Sequence, residues 1–185
     1  GVLMSKYVKV MFDTISGADK NLEYKLNEVN IATIWNPKAK NGKDFGGFNF
    51  GTEDKILRWL HRGDTIYDVI VPEDAEVILC DEEKGIYRAN KIMVTNPRKL
   101  TKELIIDYYK KTTLSDNILA QCLYIMLWKQ MPDVSKYIIK DRITKENADL
   151  YLNEFGNYGC NGDFSYDKLG YEAKKIYDMI MNIKK

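Results

Sequence analysis

From Lys6 to about Pro97 the apolar residues recur mostly at every second position, the rhythm of strands with one buried face. Tyr7-Val8-Lys9-Val10-Met11-Phe12 opens the run. Leu22-Glu23-Tyr24-Lys25-Leu26 alternates after the turn-forming Ser-Gly-Ala-Asp-Lys-Asn, and together they predict a hairpin. Further strands are predicted over Thr65 to Val71, Glu76 to Cys80 and Ile86 to Val94. Pro72-Glu73-Asp74 and Asp81-Glu82-Glu83-Lys84-Gly85 separate them, and these spacings predict an antiparallel meander. Phe48 and Phe50, alternating with small or polar residues, predict one more strand.

One helix is predicted inside this region, over 52–62. Thr52 can cap it, Glu53 and Asp54 suit its positive end, Ile56, Leu57 and Leu60 share a face, His61 and Arg62 suit its negative end, and Gly63 stops it. The preceding Asn36-Pro37-Lys38-Ala39-Lys40-Asn41-Gly42-Lys43 has no apolar period and is rich in turn formers, which predicts an exposed loop.

After Asn96-Pro97 the period becomes helical, with caps offered by Thr101, Ser115, Asp133, Thr144 and Ser165. Ile118 to Trp128 is apolar on almost every face, which predicts the central helix of the layer. Leu169, Ala173, Ile176, Ile180 and Ile183 form one seam of a last helix, and docking onto the body accounts for it better than a coiled coil.

The fold class that follows is α+β: an N-terminal antiparallel β-sheet with one inserted helix, then a C-terminal, bundle-like helical region. Residues 1–98 form a mostly β subdomain and 99–185 a helical subdomain packed on it, or the two make one domain.

Composition narrows the function classes. With 45% hydrophobic and 30% charged residues the chain is an ordinary globular one. Its 28 basic and 27 acidic side chains nearly cancel, which argues against nucleic acid and anionic membranes as partners. Cys80, Cys122 and Cys160 form no close pair and indicate a reducing compartment. Gly1 to Tyr7 has no apolar run of signal-peptide length, and no stretch of about eighteen apolar residues occurs. A cytoplasmic location is the expectation.

Candidate chemistry is sparse. The one histidine, His61, lacks neighbours at ligand spacing, so no metal site is predicted. Gly46-Gly47-Phe48-Asn49-Phe50-Gly51-Thr52 leads into a helix start as a phosphate loop would, but without that loop's lysine. The acids of 73–76 and 81–83 read as solvated turns. Trp35, Lys38, Lys40, Lys43, Phe45, Gly46 and Gly47 bring aromatics, cations and flexible backbone into one stretch, the best candidate for a binding face.

Two resemblances add to this. Gly47-Phe48-Asn49-Phe50-Gly51-Thr52, the helix to Leu60 and the strand from Thr65 to Val71 resemble the second core motif of ADP-ribosyltransferase-like folds. That resemblance covers residues 30–95. It implies NAD as cofactor, Asn49 and Thr52 beside the nicotinamide ribose, and a glutamate (Glu76, Glu82 or Glu83, with Glu83 preferred) orienting its hydroxyl. The chain departs from the family in lacking a strand-borne histidine or arginine for the first motif and a Glu-x-Glu on the last strand. The Lys, Asn, Ile and Tyr bias is similar to that of small prophage and mobile-element proteins of low-GC bacteria. No complete catalytic constellation is present, so the leading expectation is a non-enzymatic protein-binding or regulatory protein without cofactor. An anti-CRISPR-like inhibitor of a host or defence protein is the form the second resemblance implies. The alternative is an ADP-ribosyltransferase-like NAD-using enzyme, for which Asn49, Thr52 and Glu83 are the catalytic candidates.

Overall fold

The computed structural model describes Lys6–Lys185. The reading of Gly1 to Tyr7 as free of a leader therefore lies mostly outside the described residues. The chain is α+β and divides after Thr101 into two compact units.

The first unit holds eight strands: β1 (Tyr7–Phe12), β2 (Ile15–Ser16), β3 (Val29–Ile31), β4 (Phe48–Thr52), β5 (Thr65–Ile70), β6 (Val77–Asp81), β7 (Ile86–Ala89) and β8 (Lys91–Lys99). All their ladders are antiparallel, in the order β3-β8-β5-β1-β4-β7-β6, with β2 paired to β1. The predicted meander is corrected: β6 and β7 do form a hairpin, but β5 sits between β1 and β8. Ile86 to Val94 breaks at Asn90 into two strands that pair with different partners.

The first hairpin is also tighter than predicted. β1 turns at Asp13 and Thr14 and pairs with β2, whereas Leu22 to Leu26 makes only isolated bridges, Ile15 with Glu23 and Leu26 with Val94. The alternation there still reports sidedness. Tyr24 is buried and Leu22 and Leu26 pack beside it on a core of Met11, Phe48, Phe50, Tyr67, Val69, Ile92 and Val94.

β8 runs through Asn96-Pro97 to Lys99, past the predicted boundary. A bulge accommodates the proline: Ile66 pairs with Arg98 and Asp68 with Thr95, so two residues of β8 face one of β5, and the missing proline N–H leaves no ladder bond unmade. Asp68 holds the bulge by accepting from Asn96 Nδ2 and Arg98 Nη2, both at 3.0 Å.

The segment Glu53–Arg62 winds as a 3₁₀ helix, and Thr52 precedes it without a side-chain cap. It packs on β1 and β4 and contributes the buried Ile56, Leu57 and Leu60. A three-residue turn eclipses side chains at i and i+3, so Ile56, Trp59 and Arg62 fall in one row. Trp59 Nε1 donates to Lys84 O at 2.9 Å and ties the helix to the β6–β7 turn.

The second unit holds α1 (Lys102–Lys110), α2 (Asp116–Trp128), α3 (Pro132–Arg142), α4 (Ala148–Gly159) and α5 (Tyr171–Lys184). α2 is buried on nearly every face and packs against α3, α4 and α5. The apolar seam of α5 is docked, with Leu169, Ala173, Ile176 and Ile180 buried. Ser115 Oγ accepts from Ile118 N–H as a cap. Three other predicted caps are corrected: α3 starts with Met131 ahead of Pro132 at its first turn, α4 follows Asn147, and α5 follows Gly170. Proline's fixed φ starts α3 without a side-chain cap.

Two close backbone approaches lock the 3₁₀ helix to the sheet. A Cβ on Gly63 would meet Met11 C at 2.0 Å, and one on Gly17 would meet Arg62 O at 2.0 Å. Gly63→Ala is therefore expected to lower stability by about 1–3 kcal/mol in urea unfolding. Gly42→Ala, where a Cβ meets nothing within 4 Å, is the control and leaves the midpoint unchanged.

Candidate functional site

β1 changes partners along its length. It pairs with β4 only at Tyr7 and Val8 (opposite Thr52 and Gly51) and with β2 only at Met11 and Phe12. At Lys9 and Val10 that side of the strand has no neighbour. A cavity of about 30 Å³ opens in this gap, lined by Val8, Lys9 and Val10 and by groups from Ser16–Ala18, Asn49–Gly51 and the 3₁₀ row.

Lys9 closes the gap in place of a ladder. Its ammonium donates to Asn49 O and to Asn49 Oδ1, each at 2.5 Å, and lies 5.2 Å from the centre of the Tyr24 ring. Lys9 is 5% exposed, and a charge so buried is costly without a counter-ion. Among the described residues no carboxylate is bonded to it; the charged groups that act on it most are the Arg88 and Arg62 guanidiniums. Burial first, then those two cations, lowers its pKa to about 7. The nearby Tyr24 phenol is pushed above its ordinary value, mainly by burial.

A second feature lies at the end of the sheet. β3 pairs with β8 on one side only. Ala32 N–H donates to Asn90 O at 2.9 Å, which makes Ala32 and, two residues back, Asn30 the hydrogen-bonded positions of that pair. Val29 and Ile31 thus turn their N–H and C=O outward. Their side chains, with that of Ile34, are 42%, 66% and 64% exposed. They border a groove of about 520 Å³ whose other walls include Leu22, Ala32, Gly46, Gly47 and Phe48.

No family model, curated protein or solved structure matches this chain. Function is therefore argued from the sites themselves.

The predicted binding residues divide between these features and the loop. Trp35, Phe45, Gly46 and Gly47 come together: Asn36 N–H donates to Phe45 O at 2.7 Å and Gly47 N–H to Ile34 O at 2.8 Å. The Trp35 ring lies edge-on to Phe45, and its Nε1 donates to Glu76 Oε2 at 3.0 Å. Gly46 and Gly47 both have φ +71°, and a Cβ on Gly47 would meet the Trp35 ring at 2.5 Å, so both the conformation and the space require glycine. Lys38, Lys40 and Lys43 stand exposed on the intervening loop, and among the described residues they make no ion pair.

Of the transferase candidates, Asn49 alone lines the Lys9 cavity. Thr52 ends β4 opposite Tyr7, and Glu83 is exposed in the β6–β7 turn. Glu76 is the acceptor for Trp35, and the Glu82 carbonyl accepts from Lys55 Nζ at 2.9 Å. Among the described residues no group of three or more His, Cys, Asp or Glu is placed to hold a metal, and no helix is long and apolar enough to cross a membrane. Sequence reasoning missed Lys9, Arg62 and the β3 edge. Lys9 had a visible signal, a lysine between apolar neighbours in a strand apolar on both faces.

Above pH about 7 the folded chain holds Lys9 neutral, while the unfolded chain keeps it protonated up to its ordinary 10.5. The unfolded state then binds the extra proton, so this residue makes stability rise with pH across that window, by up to about 1.4 kcal/mol per pH unit. Below it both states are protonated and the cost is constant. Urea unfolding of the wild type and of Lys9→Met at about pH 6, 8 and 9.5 is expected to show this slope only in the wild type.

Proposed function

We propose that the chain is a non-enzymatic protein-binding module that takes an extended segment of a partner protein alongside β3. The observation that carries this is the outward-turned backbone of Val29 and Ile31 at the end of the sheet, coupled to exposed apolar side chains at those same positions. Such an edge offers main-chain hydrogen bonds for affinity and alternate side-chain positions for selectivity. A β3 of three residues limits the added ladder to a short one. The rest of the contact comes from the groove, whose volume lies within the roughly 300–1,000 Å³ of ordinary ligand sites.

Gly46 and Gly47 supply one wall of that groove, and their left-handed conformation, with the Trp35 ring packed on Gly47 from behind the wall, leaves it little freedom. The groove carries acids and a base, Asp19, Glu23 and Lys25, so a partner segment of mixed charge with apolar residues at every second position fits it best.

Selection from a displayed library of linear peptides against the intact chain tests this. Enriched peptides are expected to alternate apolar and polar residues and to shift the amide resonances of Val29 to Ile34. Ile31→Pro removes an N–H that the sheet itself does not use, and is expected to weaken binding about tenfold while leaving the fold intact. A concentration-dependent dimer abolished by the same variant would mean that the added strand is a second copy. Absence of any enriched peptide, or equal affinity for Ile31→Pro, would overturn the proposal.

A further inference from the structure

The gap between β1 and β4 has chemistry of its own, separate from the β3 groove. Its lining is assembled from elements that fold for other reasons. Lys9 comes from the partner-switching stretch of β1, Asn49 from β4, and Arg62 from the 3₁₀ row that also brings Ile56 and Trp59 to the cavity. Ser16 closes another side, but its Oγ already accepts from the Ala18 and Asp19 amides at 3.2 and 3.3 Å.

The charged residues that line the cavity are both basic. Lys9 and Arg62 line it, and Arg88 stands close enough to act on Lys9 from β7, where its Nη1 donates to Gly46 O at 3.0 Å. Arg58 and Arg62 of the 3₁₀ helix lie 5.1 and 5.9 Å from the Trp59 ring. The acid on the loop that borders this region is Asp19. It is exposed, and its Oδ1 accepts from Asn21 N–H at 2.9 Å. Lys9 and Arg62 at the wall of a partly enclosed, low-dielectric cavity, with Arg88 acting from β7, form a focus of positive potential.

We propose that this gap binds a small oxyanion of sulfate or phosphate size, held between the Lys9 ammonium and the Arg62 guanidinium. An ammonium and a guanidinium carried by residues that line one cavity match the charge and the several acceptor oxygens of such an ion. Size agrees. The roughly 30 Å³ is room for the centres of water-sized groups, so the walls stand far enough apart for a compact ion or the terminal phosphoryl group of a larger molecule. Asn49, which lines the cavity, accepts from the Lys9 ammonium through Oδ1 and holds it in place. An anion bound there favours the protonated form of Lys9, so binding and proton uptake are linked.

Sulfate is the probe that isolates this linkage, because it does not titrate near neutral pH. Calorimetric titration of sodium sulfate into the intact chain at about pH 8, in two buffers of different ionisation heat and against chloride at equal ionic strength, is expected to give saturable binding. Roughly one proton is taken up per anion. Lys9→Met is expected to abolish binding and uptake together. Arg62→Gln is expected to weaken binding about tenfold, with Arg62→Lys restoring part of it. Inorganic phosphate and glycerol phosphate, run in parallel, separate a free ion from a phosphoryl group: tighter binding of the ester points to the latter. No saturable binding, binding without proton uptake, or binding retained by both Lys9→Met and Arg62→Gln overturns the proposal. Should Lys9→Met fail to fold by circular dichroism, the arginine variants and the proton count decide alone.

Discussion

The first unit is organised around an ammonium buried in a break in the sheet. β1 leaves β4 after Val8 and meets β2 only at Met11. The backbone groups exposed between those points need partners, since buried polar groups left unpaired are costly. Lys9 supplies a donor for one of them, the Asn49 carbonyl, and also reaches the Oδ1 of the same residue. This replaces a neutral ladder by a charge-assisted tie inside a low-dielectric core, and the two guanidiniums nearby make that charge harder to keep. A residue whose only task was to fill the gap would not require this. Strain of this kind, confined to one cavity, is where function tends to concentrate.

The neighbouring elements make sense as supports for that break. Gly17 and Gly63 let the C-terminal end of the 3₁₀ helix approach the neighbouring chain more closely than any Cβ permits. The three-residue turn then sends Ile56, Trp59 and Arg62 to the cavity in one row. One stretch of chain serves both features of the unit: Gly46, Gly47 and Phe48 wall the β3 groove, and Asn49, Phe50 and Gly51 wall the gap.

Much of this was legible in the alternation of apolar residues. Phe48 and Phe50, the strand from Thr65, and the all-round apolar helix around Leu123 fall where the pattern puts them, because burial on one face or on all faces is a local property of sequence. What the pattern could not report was pairing. Leu22 to Leu26 alternates correctly yet forms no ladder, since sidedness does not choose a neighbour. Asn96-Pro97 looks like a boundary and is a bulge, visible only once β5 is known to lie opposite. The 3₁₀ winding of Glu53–Arg62 and the close backbone contacts at its C-terminal end are tertiary features that periodicity does not encode. For the sites, Trp35, Phe45, Gly46 and Gly47 were visible as a cluster of aromatic and turn chemistry. Arg62 was hidden behind its fit to a helix end, and Val29 and Ile31 behind the shortness of their strand.

The buried, charge-crowded state of Lys9 is the premise on which the cavity's chemistry stands. Selective ¹³C labelling of lysine and a titration of the Cε resonance of Lys9, assigned by its loss in Lys9→Met, measures it directly. A midpoint at about 7 in the folded chain agrees with the account. A midpoint at its ordinary value of 10.5 would contradict it, and would mean that Lys9 is solvated or paired with a carboxylate and that no positive focus exists in the gap.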